Sequence, residues 1–195
     1  MEELRIHILE LAELSVAAGA AMVRITITED LPADWLTIEL ADDGRGIKEE
    51  QLKLLQKALR EEPPSGEAGL EVALFARSCE EAEGQCSLNS SAEEGTVLCG
   101  RMRHSHPNRK PLGDLEETLI SLLMSAPGVD WVYTHRKIHA DGAQAEVELD
   151  TRQIRRKTGD LPLTHPEVVR VIRSSLREQT AKMNSRRPAP GSREK

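Results

Sequence analysis

The chain has 195 residues, 38% hydrophobic and 30% charged, with a formal net charge of -7. One Phe, one Tyr and two Trp imply an aliphatic core and too few rings for base-stacking platforms on single-stranded nucleic acid. The acidic balance excludes a general nucleic-acid binder, which needs a basic face. Three cysteines without a CxxC pair exclude a disulfide framework or a zinc ribbon and point to free thiols.

The amino-terminal stretch MEELRIHILELAEL is acidic and amphipathic, unlike a signal peptide. No run approaches the ~20 apolar residues of a membrane span, so a soluble, cytoplasmic protein is expected. Residues 3–18 place Leu4, Ile8, Leu11 and Ser15 at helical spacing, which predicts a helix ending at Gly19. Residues 22–28 alternate, with Val23, Ile25 and Ile27 on one side, and residues 35–40 alternate again. With Pro32 in the turn between them, the two runs predict a hairpin. A Gly and Asp loop over 41–46 leads to a helix over 48–60. Residues 61–68 (EEPPSGEA) read as a loop, 70–82 as a helix, and 85–89 and 96–102 as short strands about a turn at 93–95. That order predicts one sheet with helices on one face, an α/β two-layer sandwich.

After a connector with Pro107 and Pro111, Asp114 and Glu117 form a capping-box pattern ahead of a helix over 114–124. Residues 129–135 and 145–149 alternate around Asp141-Gly142, a strong hairpin signal. Asp150 caps a short helix through 156, and Thr164 and Pro166 open a last helix over 166–182. The polar, Pro-rich stretch 183–195 predicts disorder. The expected division is a first unit over 1–106, a small C-terminal α+β extension over 107–182 and the tail. Whether the hairpin of the extension lengthens the sheet or forms a partner surface is left open. The basic segment 101–110 and the tail from 186 read as solvated connectors, and His135 and His139 as surface residues. Cys99, His104 and His106 match no common metal-ligand spacing.

The informative motif is Asp42-Asp43-Gly44-Arg45-Gly46-Ile47, a DxGxG loop between an apolar strand and a helix. Alone it is an ordinary turn pattern. Upstream stands Glu10-Leu11-Ala12-Glu13-Leu14-Ser15-Val16-Ala17-Ala18-Gly19-Ala20, a helix with a small-residue end. Downstream stand Gly69-Leu70 ahead of a helix and Gly95-Thr96-Val97 at the last strand. In this order the landmarks resemble the GHKL nucleotide-binding domain of histidine kinases, gyrases, heat-shock chaperones and mismatch-repair proteins. Pro111-Leu112-Gly113-Asp114 and Val132-Tyr133-Thr134-His135 extend the resemblance to the small ATP-binding proteins of bacterial iron-hydrogenase operons.

The resemblance implies a Bergerat-type fold and an adenine nucleotide, ATP or ADP, as ligand. It implies that Asp42 accepts a hydrogen bond from the adenine amino group. It implies that Gly44 and Gly46 let the backbone pass close to base and ribose, with Ile47, Gly69 and Thr96 also in the nucleotide site. Glu10 becomes the general base that orients the attacking water, and a protein of a hydrogenase or redox system becomes the expected partner.

The chain departs from that pattern twice. The family's magnesium-binding Asn, four residues after the Glu, is Leu14 here, which offers no oxygen to a hard cation. Glu13 lies about 100° around the helix and is a poor substitute. The lid stretch EEPPSGEAGLEVAL carries Glu61, Glu62, Glu67 and Glu71, and keeps only Gly66 and Gly69 of the glycines whose amides cradle phosphates. Negative charge there weakens triphosphate binding. The expectation is a regulatory or accessory adenine-nucleotide binder, with weak or absent hydrolysis and no resident magnesium. The alternatives are a pseudo-ATPase scaffold acting through protein contacts, and an active ATPase or histidine-kinase-like phosphotransferase. The last is disfavoured because no helix bearing a phospho-acceptor His precedes the domain, and His7 lies inside the first helix.

Overall fold

The apolar stripe Leu4, Ile8, Leu11 and Ser15 forms the buried face of α1 (Leu4–Ala17). Glu3 supplies no side-chain cap at its start. Instead the Leu4 and Arg5 N–H groups donate to the carbonyls of Pro111 and Leu112 at 2.8 and 2.9 Å, which satisfies two of the donors that a helix start leaves open. The small-residue end closes in a Schellman pattern, with Gly19 N–H on the Val16 carbonyl and Ala20 N–H on the Ser15 carbonyl. The chain then runs through β1 (Met22–Asp30), β2 (Trp35–Asp42), α2 (Glu49–Ala58), α3 (Glu67–Glu80), β3 (Gln85–Ser91) and β4 (Gly95–Arg103). It continues through α4 (Leu115–Ser125), β5 (Asp130–Ile138), β6 (Gln144–Asp150), α5 (Thr151–Thr158) and α6 (Pro166–Ser185). The structure, a computed structural model, describes residues 3–59, 67–159 and 161–185.

The strands form one six-stranded sheet in the order β3-β4-β2-β1-β5-β6. Their period of two decides what each buries. Val23, Ile25 and Ile27 of β1, and Leu36, Ile38 and Leu40 of β2, face the core that α1, α3, α4 and α6 complete. The result is the two-layer α/β sandwich that the element order predicts. The hairpin of β5 and β6 lengthens this sheet: β5 lies parallel to β1 from Met22↔Asp130 to Asp30↔Ile138 and antiparallel to β6. Two of the three expected caps hold, since the side chain of Asp114 accepts from Glu117 N–H at 2.9 Å and that of Asp150 from Arg152 N–H at 3.0 Å, whereas at the start of α6 it is the His165 ring, not Thr164, that accepts from Glu167 N–H.

Most strands run one to three residues past the bounds read from the sequence, and two helices differ as well. Residues 67 and 68 belong to α3, not to the preceding loop. The last helix continues to Ser185 because its apolar stripe of Val168, Ile172 and Leu176 is prolonged by Met183, which is buried. Residues 60–66 and 186–195, where a lid loop and the rest of a disordered tail are expected, lie outside the described residues. Cys79, Cys86 and Cys99 are free thiols. No helix among the described residues is long and apolar enough to cross a membrane.

Both sheet edges are blocked by glutamines from neighbouring helices. Gln56 of α2 donates to the Leu88 carbonyl on β3 at 2.8 Å. Gln179 of α6 accepts from the Glu148 N–H and donates to its carbonyl at 2.9 and 3.2 Å. An open strand edge is a template for intermolecular pairing. Gln179→Ala is expected to lower unfolding free energy by about 1 kcal/mol and to raise the oligomer fraction at high concentration. Urea titration and light scattering check both parts.

Candidate functional site

The alternation that buries Leu36, Ile38 and Leu40 carries Asp42, at the last position of β2, onto the same face, where it is 9% exposed. The Ser15 hydroxyl donates to Asp42 Oδ2 at 2.6 Å and the Gly44 N–H to Oδ1 at 2.9 Å. A carboxylate offers about four lone-pair sites, so these contacts orient Asp42 and leave capacity for a donor from a ligand. Thr96 is its cross-strand partner on β4. The Thr96 hydroxyl lies 2.9 Å from Ser90 Oγ, which donates to the Gly95 carbonyl and accepts from Ile47 N–H. Asp43 accepts from the Ala21 and Met22 N–H groups, both at 2.8 Å, and Arg45 N–H donates to the Ala18 carbonyl. The loop is thereby stitched to the end of α1, the start of β1 and the β3–β4 turn.

Asp42, Gly44, Gly46, Ile47 and Thr96 therefore come together. The glycines have a reason internal to the protein. A Cβ on Gly44 would stand 3.0 Å from Asp42 Oδ1 and 3.1 Å from the Ala18 side chain. At Gly46 it would stand 2.2 Å from the Ser91 carbonyl oxygen. Ser15 and Ser90 are the contributors that the sequence reading missed as site residues. Ser15 was legible as the last member of the buried stripe of α1, since a hydroxyl there must meet a polar partner.

Glu10 is half-buried on α1, about 7 Å along the helix axis from Ser15. Gly69 is buried in the first turn of α3 and is not part of the hydrogen-bonded cluster around Asp42. Leu14 packs its side chain against the apolar core. Magnesium, which the resemblance implies, requires hard oxygen donors, and this position presents methyl groups and supplies no ligand. Of the lid glutamates, Glu61, Glu62 and the side chain of Glu67 lie outside the described residues. Glu71 Oε2 is buried and has no hydrogen-bond partner among the described residues.

A second polar centre lies at the opposite end of β1. Glu29 is 7% exposed and receives His135 Nε2 on Oε1 at 3.0 Å and His104 Nε2 on Oε2 at 2.8 Å, with Lys137 Nζ 3.5 Å away. Burial raises the carboxyl pKa, but the two imidazole hydrogen bonds and the charges of His135 and Lys137 outweigh it and hold the pKa at about 2. This corrects the expectation for His135 and His139, each of which is 6% exposed. The signal was present: Glu29 continues Val23, Ile25 and Ile27 at period two, and His135 continues Trp131 and Tyr133. The basic segment 101–110 is also engaged within the chain. Arg101 and Arg103 stack over Trp35 at 3.9 and 4.3 Å, and Lys110 donates to Ser78 at 2.9 Å. His7 is buried beside Ser78 and Phe75.

The sequence profile described as Histidine kinase-, DNA gyrase B-, and HSP90-like ATPase matches residues 2–105. No curated protein matches the chain. Among solved structures, the crystal structure of the N-terminal domain of a DNA repair protein is similar at a TM-score of 0.47 and 14% identity, over 77% of this chain and 53% of that one. This chain thus spans about half the length of that protein. The Aquifex aeolicus MutL ATPase domain complexed with ADP is similar at a TM-score of 0.43 and 11% identity, over 97% of this chain and 100% of that one.

Proposed function

The chain belongs to the family of histidine kinase-, DNA gyrase B- and HSP90-like ATPases, and on that premise we propose an adenine-nucleotide-binding regulatory or accessory protein with weak or absent hydrolysis. The observation that carries this reading is Asp42, a buried carboxylate oriented by Ser15 and Gly44, with unused acceptor capacity. In this reading the adenine amino group donates to Asp42, whereas guanine would present a carbonyl there and be repelled. Gly95 and Thr96 hold the wall beside it through Ser90. In hydrolysing members of such a family a glutamate at the position of Glu10 orients the attacking water. With Leu14 in place of an oxygen ligand, the phosphates here lack the metal that would neutralise them, which supports binding without efficient turnover.

A partner from a hydrogenase or redox system belongs to the same reading. The two stretches that suggest it have structural roles in this chain. The carbonyls of Pro111 and Leu112 receive the first amides of α1, and residues 132–135 lie inside the sheet on β5.

Isothermal titration with ATP and ADP, with magnesium and with EDTA, tests the proposal. Micromolar binding that does not depend on magnesium is expected. Asp42→Asn should weaken it about tenfold to hundredfold, the worth of a hydrogen bond to a charged acceptor. Absence of heat at millimolar nucleotide overturns the reading in favour of a scaffold that works only through protein contacts. Phosphate release that disappears in Glu10→Ala overturns it in favour of an ATPase.

A further inference from the structure

On the helix side of the sheet, β5 and β6 leave a cavity of about 510 Å³ beneath α4 and α6. It borders Glu29, six residues along β1 from the Val23 that pairs with Asp42, and so about 20 Å from the nucleotide loop. Tyr133, His135 and Val147 form its floor, and Leu119, Leu176 and Met183 its apolar walls. All six are buried. Exposed Arg177, Thr180 and Asn184 on α6 form its mouth. A volume of this size is that of a site for a small organic molecule.

Two polar groups in the floor lack hydrogen-bond partners among the described residues. The Tyr133 hydroxyl, on a residue 4% exposed, makes no hydrogen bond among the described residues. Burial, reinforced by the charge of Glu29, pushes its pKa up, so it keeps its proton. His135 donates through Nε2 to Glu29, and its Nδ1 has no hydrogen-bond partner among the described residues. The Tyr133 and His135 rings meet edge-on at 6.4 Å between centroids. A hydroxyl both donates and accepts, so one ligand O–H can serve His135 Nδ1 and the Tyr133 hydroxyl together.

The charged groups in the floor and along α4 are matched: Glu29 is held by His104, His135 and Lys137, and Glu116 by Arg173 and Arg177, while Asp114 stands exposed at the rim. Beside Tyr133 and His135 an ionic ligand would find no counter-charge to spare. We infer that this cavity binds a small neutral molecule with an apolar body and a hydroxyl group, the hydroxyl held by Tyr133 and His135.

The test uses the full chain with p-cresol and toluene as probes, followed by methyl NMR at Leu119, Val147, Leu176 and Met183. Saturable shifts are expected with both, p-cresol binding about tenfold more tightly through its hydroxyl. Tyr133→Phe, which keeps the ring, should bring the two affinities within about threefold of each other without changing toluene binding. Val147→Trp should fill the cavity and abolish binding of both probes, while ADP titration is unchanged. Equal affinities for the two probes in the unmodified chain mean an adventitious apolar additive only and overturn the assignment. So does a lack of saturable shifts, or an unchanged preference in Tyr133→Phe.

Discussion

Gly95→Ala is expected to destabilise the chain by about 3 kcal/mol or more and to abolish Asp42-dependent nucleotide binding. Gly95 adopts φ +76°, a left-handed conformation that favours glycine. A Cβ there would also stand 1.9 Å from the Asp42 carbonyl oxygen and 2.9 Å from Asp43 Cα. No side chain can rotate to relieve a contact with backbone. The strain falls on the Asp42↔Thr96 pair, so β4 must move away from β2 where the carboxylate is held. Gly142→Ala is the matched control: φ is +81° there and nothing lies within 4 Å of the added carbon. It should cost about 1 kcal/mol from backbone strain alone and leave nucleotide binding intact. Chemical denaturation of the two variants separates strain from collision, and equal losses would show that the contact with Asp42 is unimportant.

Glu29→Gln is the second large effect, and it is tied to pH. The folded carboxyl has a pKa of about 2 against 4.5 in the unfolded chain, so between those values the unfolded state binds more protons. Stability from this group is therefore complete above about pH 4.5 and is lost as pH falls toward 2. The separation corresponds to about 3 kcal/mol. Near neutral pH the variant should be less stable by roughly that amount, because two imidazoles and Lys137 lose the anion they surround. Between pH 5 and pH 3 the unmodified chain should lose stability faster than the variant, so the two curves converge. Urea midpoints measured across that range check the prediction. Parallel curves would mean that Glu29 titrates alike in the folded and unfolded states.

The contrast between these two sites shows where local pattern is enough. The Asp42 loop was legible because its parts are local: a Gly and Asp turn at a strand end, a helix with a small-residue end, a glycine before a threonine at the next strand. Each is a backbone requirement that only a few residue types meet. The role of Ser15 was half legible, as a buried hydroxyl without a visible partner. The Glu29 centre was missed because β1 was read as ending before Glu29 and β5 before Lys137, and because His135, though inside its strand, was read as a surface residue. The meeting of Glu29 and His135 depends on parallel pairing across the sheet.

The amino-acid sequence by itself determined the element types, the buried faces, the caps at Asp114 and Asp150 and the Asp42-Gly44-Gly46 loop. Helical and strand periods, turns and caps act over a few residues, and one sequence window contains both partners of each interaction. It also determined that Leu14 presents no oxygen to a metal, since that is the chemistry of one side chain. Only the tertiary structure decided that β5 inserts beside β1 as a parallel neighbour. It alone gave Asp42 its hydroxyl partner from α1 and gathered His104, His135 and Lys137 around one buried carboxylate. Those arrangements join residues from 27 to 108 positions apart in the chain. No short-range preference encodes such pairings, and they form because one aliphatic core brings the strands and helices that carry them into register.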